Sequence, residues 1–259
     1  MAIDNDVYNR HATTWWDEDD PLNMLHGSVT PARLAYFATV LKRLGRDPVG
    51  LSALDIGCGG GFLAEKFAAM GCHVVGVDPS ALSLETARRH AGAQSLVIDY
   101  RVGSGEELPV EDSSFDLVYC CDVLEHVGDL DRVIGETARA LKPDGVYLFD
   151  TVNRTLLSRL LAIKLLQEWP RTRIFDTPVH EWGMFIKPSE LRAVLARYRL
   201  RMQETVGLGP RAKNPLGMMK NMSRAQGGEI SYGELSRRLD FGQTRSRAVS
   251  YMGFATVVT

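Results

Sequence analysis

Leu54-Asp55-Ile56-Gly57-Cys58-Gly59-Gly60-Gly61-Phe62 runs from an apolar segment straight into a cluster of glycines, and Val74-Val75-Gly76-Val77-Asp78 follows as a second apolar run ending on an acid. The first run, 51–56, reads as a strand, the glycines as a sharp turn, and 61–70 as a helix. Glycines are needed where backbone must turn tightly and approach a ligand, since a Cβ there would collide with it. An acid at the end of the second strand, about 20 residues after the turn, is placed to accept hydrogen bonds from a ribose. Together these parts read as a nucleotide-cofactor cradle.

Spacing narrows the cofactor. Dinucleotide folds use Gly-x-Gly-x-x-Gly, in which the third glycine packs helix on strand. Here the pattern is Asp-x-Gly-x-Gly-x-Gly, from Asp55 to Gly61. It resembles motif I of the Rossmann-like S-adenosylmethionine-dependent methyltransferases. That resemblance implies a cofactor site built from Asp55, Gly57, Cys58, Gly59, Gly61, Phe62, Asp78, Pro79 and Ser80. It also implies adenine contacts from Ser104, Gly105 and Glu106 after the third strand, and a backbone carbonyl from Cys121 for the methionine ammonium. Many relatives carry Asp-Ala at the middle pair of that adenine loop, and Ser104 is a weaker acceptor than aspartate.

The chain has 259 residues, 45% hydrophobic and 24% charged, with a net charge of −2. Such a chain can bury a full α/β core without staples. Near-neutral charge speaks against general nucleic-acid affinity. Cys58, Cys72, Cys120 and Cys121 lie in apolar or glycine-rich segments without a Cys-x-x-Cys pair, which suits a reduced, cytoplasmic protein. The first residues show no secretory pattern, and no apolar run reaches the ~18 residues needed to span a bilayer.

Strands are expected at 51–56, 73–77, 96–102, 115–120, 145–151, 200–206 and 248–258, and helices at 61–70, 80–91, 129–141, 155–168 and 187–198. Alternating β and α units predict a mostly parallel sheet, here of seven strands, with helices on both faces and an antiparallel pair at its end. Residues 1–50 read as a helical lid, with helices at 6–16 and 31–44, and 51–206 as the core. Residues 207–247, polar and rich in glycine, methionine and arginine to residue 240, read as a mobile insertion or substrate cap. Residues 248–259 would supply the terminal strand of the core sheet.

Asp122-Val123-Leu124-Glu125-His126 is the second unusual stretch. On a helix, Asp122, Glu125 and His126 would share one face, and two carboxylates with an imidazole suit a divalent cation. The stretch resembles both the Glu-x-x-Glu-His of small-RNA 2′-O-methyltransferases and the Glu-Met-Leu-Glu-His of ubiquinone-biosynthesis O-methyltransferases. A distant histidine completes the first kind of site, and the one available here is His180, in Thr177-Pro178-Val179-His180-Glu181-Trp182. The plainer alternative is a metal-free site in which His126 lines the substrate pocket or acts as a base.

Trp15-Trp16-Asp17, Leu25-His26, Thr30-Pro31-Ala32-Arg33-Leu34, Asn153-Arg154-Thr155 and Phe185-Ile186-Lys187-Pro188-Ser189-Glu190-Leu191 are similar to UbiG-type ubiquinone methyltransferases. The resemblance covers most of residues 5–205 and places Arg33 with the cofactor. It implies in-line methyl transfer from a sulfonium to a phenolate, with Glu125, His126 and His180 as the working groups. A free phenol has a pKa near ~10. A cation held by both oxygens of a catechol would lower it, or His126 or His180 would serve as base. Two rivals stay open: a metal-free C-, N- or O-methyltransferase of a soluble metabolite, and a protein that binds the cofactor without catalysis. Leucines spread along 155–169, with Arg171 and Arg173 beyond, suit either a cover helix or a peripheral contact of 155–173 with the inner membrane, where a polyprenylated substrate would be met.

Overall fold

The computed structural model describes residues 5–212 and 214–258. Its centre is a sheet of eight strands in the order β3-β2-β1-β4-β5-β8-β6-β7. The strands are β1 (Ser52–Ile56), β2 (His73–Asp78), β3 (Ile98–Val102), β4 (Phe115–Cys120), β5 (Leu141–Val152), β6 (Leu200–Pro210), β7 (Phe241–Thr244) and β8 (Ser250–Val257). The first five are parallel, and β8 and β6 add antiparallel. The expected seven strands become eight because β7 pairs with the far half of β6, which runs on to Pro210. Phe-Gly-Gln-Thr carries no apolar alternation to announce it.

The helices are α1 (Val7–Arg10), α2 (Thr30–Arg43), α3 (Phe62–Ala69), α4 (Ala81–Ala93), α5 (Leu130–Ala140), α6 (Leu156–Ser158), α7 (Pro188–Arg197), α8 (Pro215–Gln226) and α9 (Tyr232–Leu239). One core cluster joins α2, α3 and α4 to one face of the sheet through Phe37, Leu41, Phe67 and Leu84. A second joins α5 and α7 to the other face through Val133, Ile134, Leu191 and Leu195. Strand order reverses between β1 and β4, and this places a crevice beyond their carboxyl ends.

Three expectations need correction. The 6–16 helix stops after one turn, because the Asp20 carboxylate draws in His11 Nδ1 (2.7 Å), the Thr14 hydroxyl and the Leu22 N–H (2.8 Å), bonds that compete with a helical backbone. The leucine-rich segment is a short α6 continued by a wider π-helical winding over Arg159–Glu168. Most of 207–240 forms the end of β6 with α8 and α9, which bury Ala225, Ile230, Leu235 and Leu239 in a core of their own. Ser28 bonds the carbonyl and hydroxyl of Ser236, and Glu18 pairs with Arg237, so this segment packs against the N-terminal region.

Candidate active site

The glycine turn has the backbone its sequence demands. Gly57, Gly59 and Gly61 take φ of 72°, 50° and 87°. A Cβ on Gly57 would lie 2.2 Å from Val123, and one on Gly60 would lie 2.4 Å from Trp15. Asp78 accepts from the Gly59 N–H and the Ser80 N–H, both at 2.8 Å, and so ties the turn to the end of β2. A carboxylate has about four acceptor sites, so Asp78 retains capacity for hydroxyls. Asp55, buried at the end of β1, leaves Oδ2 without a partner among the described residues. Burial and the nearby Asp78 hold its carboxyl well above the usual range. Cys58 is buried, and its thiol is pushed up by the same burial. Pro79 is exposed, while Ser80 caps α4 through Ser83 N–H.

Phe62 turns toward Trp15, Trp16 and His26. Trp15 donates to Ser83 Oγ (3.0 Å) and Trp16 to the Gly60 carbonyl (2.9 Å), so the paired tryptophans clamp the glycine turn. Beyond β3, Ser104 bridges to Glu107, Gly105 packs near Ile56 and Val133, and Glu106 accepts from the Gly128 N–H at 3.1 Å. Arg33 is buried and engaged by carboxylates, bonding both oxygens of Asp150 and lying 2.5 Å from Asp122. Cys121 precedes Asp122 on the chain, and burial with Asp150 nearby pushes its thiol well up.

The 122–126 stretch is not a helix. Asp122 takes φ 54°, its N–H donates to Asp150 (3.1 Å), and a turn closes from the His126 N–H to the Val123 carbonyl (2.8 Å). This geometry splits the expected quartet. Asp122 turns to Arg33, whereas Glu125, His126 and His180 converge with one ligand atom each, all within 4.8 Å of one another. Glu125 accepts from the Thr151 hydroxyl at 2.8 Å. Burial, with Asp122 close by, pushes its carboxyl up to about 8. Burial and His180 push His126 down to about 3, and burial also lowers His180. His126 Nδ1 is buried and unpartnered among the described residues. His180 is held by Gln167 of the π-helical segment, whose amide oxygen accepts from the Val179 and His180 N–H groups (2.9 and 2.8 Å) while its amide donates to the His180 carbonyl (3.1 Å).

The chain is 36% identical over 240 residues to the ubiquinone biosynthesis O-methyltransferase of Methylobacterium nodulans, covering 87% of this chain and 92% of the relative. It is 36% identical over 248 residues to the enzyme of the same name from Brucella ovis, covering 92% and 95%. The chain belongs to this family. The methyltransferase domain family also matches residues 54–149. Among solved structures, the magnesium protoporphyrin IX methyltransferase of Synechocystis, which carries bound S-adenosylhomocysteine, superposes with a TM-score of 0.62 at 18% identity, covering 97% of this chain and 98% of that one. A possible histamine N-methyltransferase from Thermotoga maritima gives 0.60 at 18% identity, with 98% of each chain covered. These two share the fold.

This ubiquinone-family methyltransferase uses S-adenosylmethionine, and its residues fit that group: a glycine turn whose positive φ values open the end of β1, and Asp78 beside it with acceptor capacity to spare. Sequence reasoning missed three residues around the site. Asp150 anchors Arg33, Thr151 holds Glu125, and the Tyr8 hydroxyl shares a 3.3 Å hydrogen bond with His126 Nε2. The first two sit in an apolar strand where a polar residue could have been noticed. Tyr8 carried no signal.

Proposed function

We propose that the methyl acceptor is a phenolic or catechol hydroxyl of a polyprenylated quinone precursor, and that Glu125, His126 and His180 hold a divalent cation beside it. The observation that carries this reading is the convergence of one carboxylate and two imidazoles next to the glycine cradle. The name shared by the curated relatives supports the acceptor class. S-adenosylmethionine supplies a methyl group on a sulfonium, already a strong donor. What is left to the chain is alignment and removal of the phenol proton. A cation at the three ligands would lower the phenol pKa. The unpartnered His126 Nδ1 and the buried Glu125 are suited to being satisfied by such an ion. With Asp122 committed to Arg33, two nitrogens and one oxygen favour Zn, Fe or a similar borderline cation over Mg, which prefers oxygen.

Asp78 and the glycine turn would carry the cofactor, with Cys121, Ser104 and Gly105 lining its far side. Arg33 acts on this site through Asp122 and Asp150. A peripheral contact with a bilayer fits where the leucines point: Leu156, Leu157 and Leu160 are 77%, 45% and 52% exposed, while Ile163 faces inward. Among the described residues no helix is long and apolar enough to cross a membrane.

The test is a panel of catechols with labelled cofactor, run on protein of known metal content. Methylation of a catechol that stops on chelation and returns with a borderline cation supports the reading. Full activity in protein proven metal-free by elemental analysis removes the cation from it, and transfer to carbon or nitrogen acceptors alone removes the phenol.

A further inference from the structure

Resting on the phenolic acceptor just proposed, we propose that Tyr8 is a built-in stand-in for that acceptor, and that residues 5–10 must withdraw from His126 before the acceptor can bind. Tyr8 carries the same functional group, a phenol, and presents its hydroxyl to His126 Nε2 at 3.3 Å. Its ring meets the imidazole edge-on, with centroids 5.9 Å apart and planes at 84°. The acids whose charge reaches its phenol are Asp122, Glu125 and Asp78, so the ring is close to both the cofactor acid and the Glu125–His126 turn. A second phenol cannot share that space.

The way residues 5–12 are held suits displacement of 5–10. Val7 and Ala12 are the buried apolar side chains of this stretch, and α1 is a single turn. Tyr8 also stacks on Trp15 (centroids 6.3 Å apart, planes at 9°), and His11 meets Phe175 edge-on and bonds Asp20. Further ties are polar: Asn5 Nδ2 donates to the His126 carbonyl (3.3 Å), Asn9 accepts from Ser80 Oγ (2.6 Å), and Arg10 donates to Thr177 Oγ1 (3.1 Å). Segments with few buried apolar contacts open at low cost. Trp15 and Trp16 are anchored differently, on the glycine turn, Ser83 and Phe62. Residues 5–10 can therefore lift ahead of the Asp20-bonded His11 and Thr14, breaking the Tyr8–Trp15 stack, while the tryptophan clamp stays closed over the cofactor loop. Tyr8 then sets a threshold: acceptors must outcompete an internal phenol, which favours those that engage the three ligands with a second oxygen.

The test compares the full-length protein with its Tyr8→Phe and Tyr8→Ala variants, using 4-methylcatechol as a soluble probe and S-adenosylhomocysteine as a cofactor probe. Calorimetry gives both affinities, and hydrogen exchange follows residues 5–10. Catechol should raise exchange across 5–10 in the natural protein. Tyr8→Phe should bind catechol roughly three- to tenfold tighter, the worth of one hydrogen bond, and Tyr8→Ala tighter still, with S-adenosylhomocysteine affinity changed less than about twofold. A Tyr8→Phe variant whose catechol affinity is unchanged or weaker overturns the proposal. So does exchange at 5–10 that falls on catechol binding, or a variant that loses kcat at constant KM. If neither the natural protein nor Tyr8→Ala binds any catechol, the phenolic reading itself fails. Equal binding by all three sinks Tyr8 alone.

Discussion

Two aspartates at the cofactor cradle make opposite use of similar side chains. Asp78 is tied to two backbone N–H groups, so Asp78→Ala should weaken cofactor binding by about 1.5–3 kcal/mol, the range for lost charge-assisted hydrogen bonds, and Asp78→Asn should cost less because it keeps one acceptor. Calorimetry with S-adenosylhomocysteine checks both, and equal affinity in a folded Asp78→Ala protein would refute the assignment. Asp55 is instead buried with an unpartnered oxygen, and its carboxyl is held well above 3.8. Above pH 3.8 the unfolded chain has released this proton while the fold still binds it. Stability should therefore fall as pH rises from about 4 through the folded-state value. Asp55→Asn, neutral at every pH, should flatten that decline in denaturant titrations across the range. A parallel slope in both proteins would contradict it.

Among the elements, strand, glycine turn and helix were legible because local spacing and a single backbone demand coincide there: Gly57, Gly59 and Gly61 all need positive φ. The 122–126 stretch was half legible. Its residue types announced a site, but the i, i+3, i+4 argument assumed a helix that Arg33 and Asp150 prevent by holding Asp122 in a left-handed turn, an interaction between residues far apart in sequence. The helices of 207–240 were hidden for another reason. Met218, Met222 and Ala225 do recur at helical spacing, yet Gly217 and Ser223 dilute the pattern, and the cap partners lie in the first 30 residues. The revised ligand set has a direct consequence. His180→Ala or Glu125→Gln should lower zinc affinity at least tenfold, whereas Asp122→Asn should change it less than about threefold, as measured by competition with a chromogenic chelator. An Asp122→Asn loss matching that of His180→Ala would restore the carboxylate as a ligand.

Across the whole molecule, the outward leucines of α6 and the following winding share their exposure with Trp169 at the end of that winding, itself 36% exposed. Replacing Leu156, Leu157 and Leu160 together by serine should abolish flotation with anionic liposomes while leaving thermal stability nearly unchanged, since these side chains support no core. Unaltered flotation would move the contact elsewhere. The same segment bears Gln167, whose side chain grips the backbone at Val179 and His180. One winding thus joins the proposed lipid-facing surface to a ligand of the proposed ion. The consequence is interfacial activation: turnover of a tailed catechol should rise with the area of bilayer supplied and not only with its concentration in bulk. Gln167→Ala should still adhere to vesicles but lose most of that rise. Here the membrane would act as an effector, since adsorption and alignment of His180 become one event.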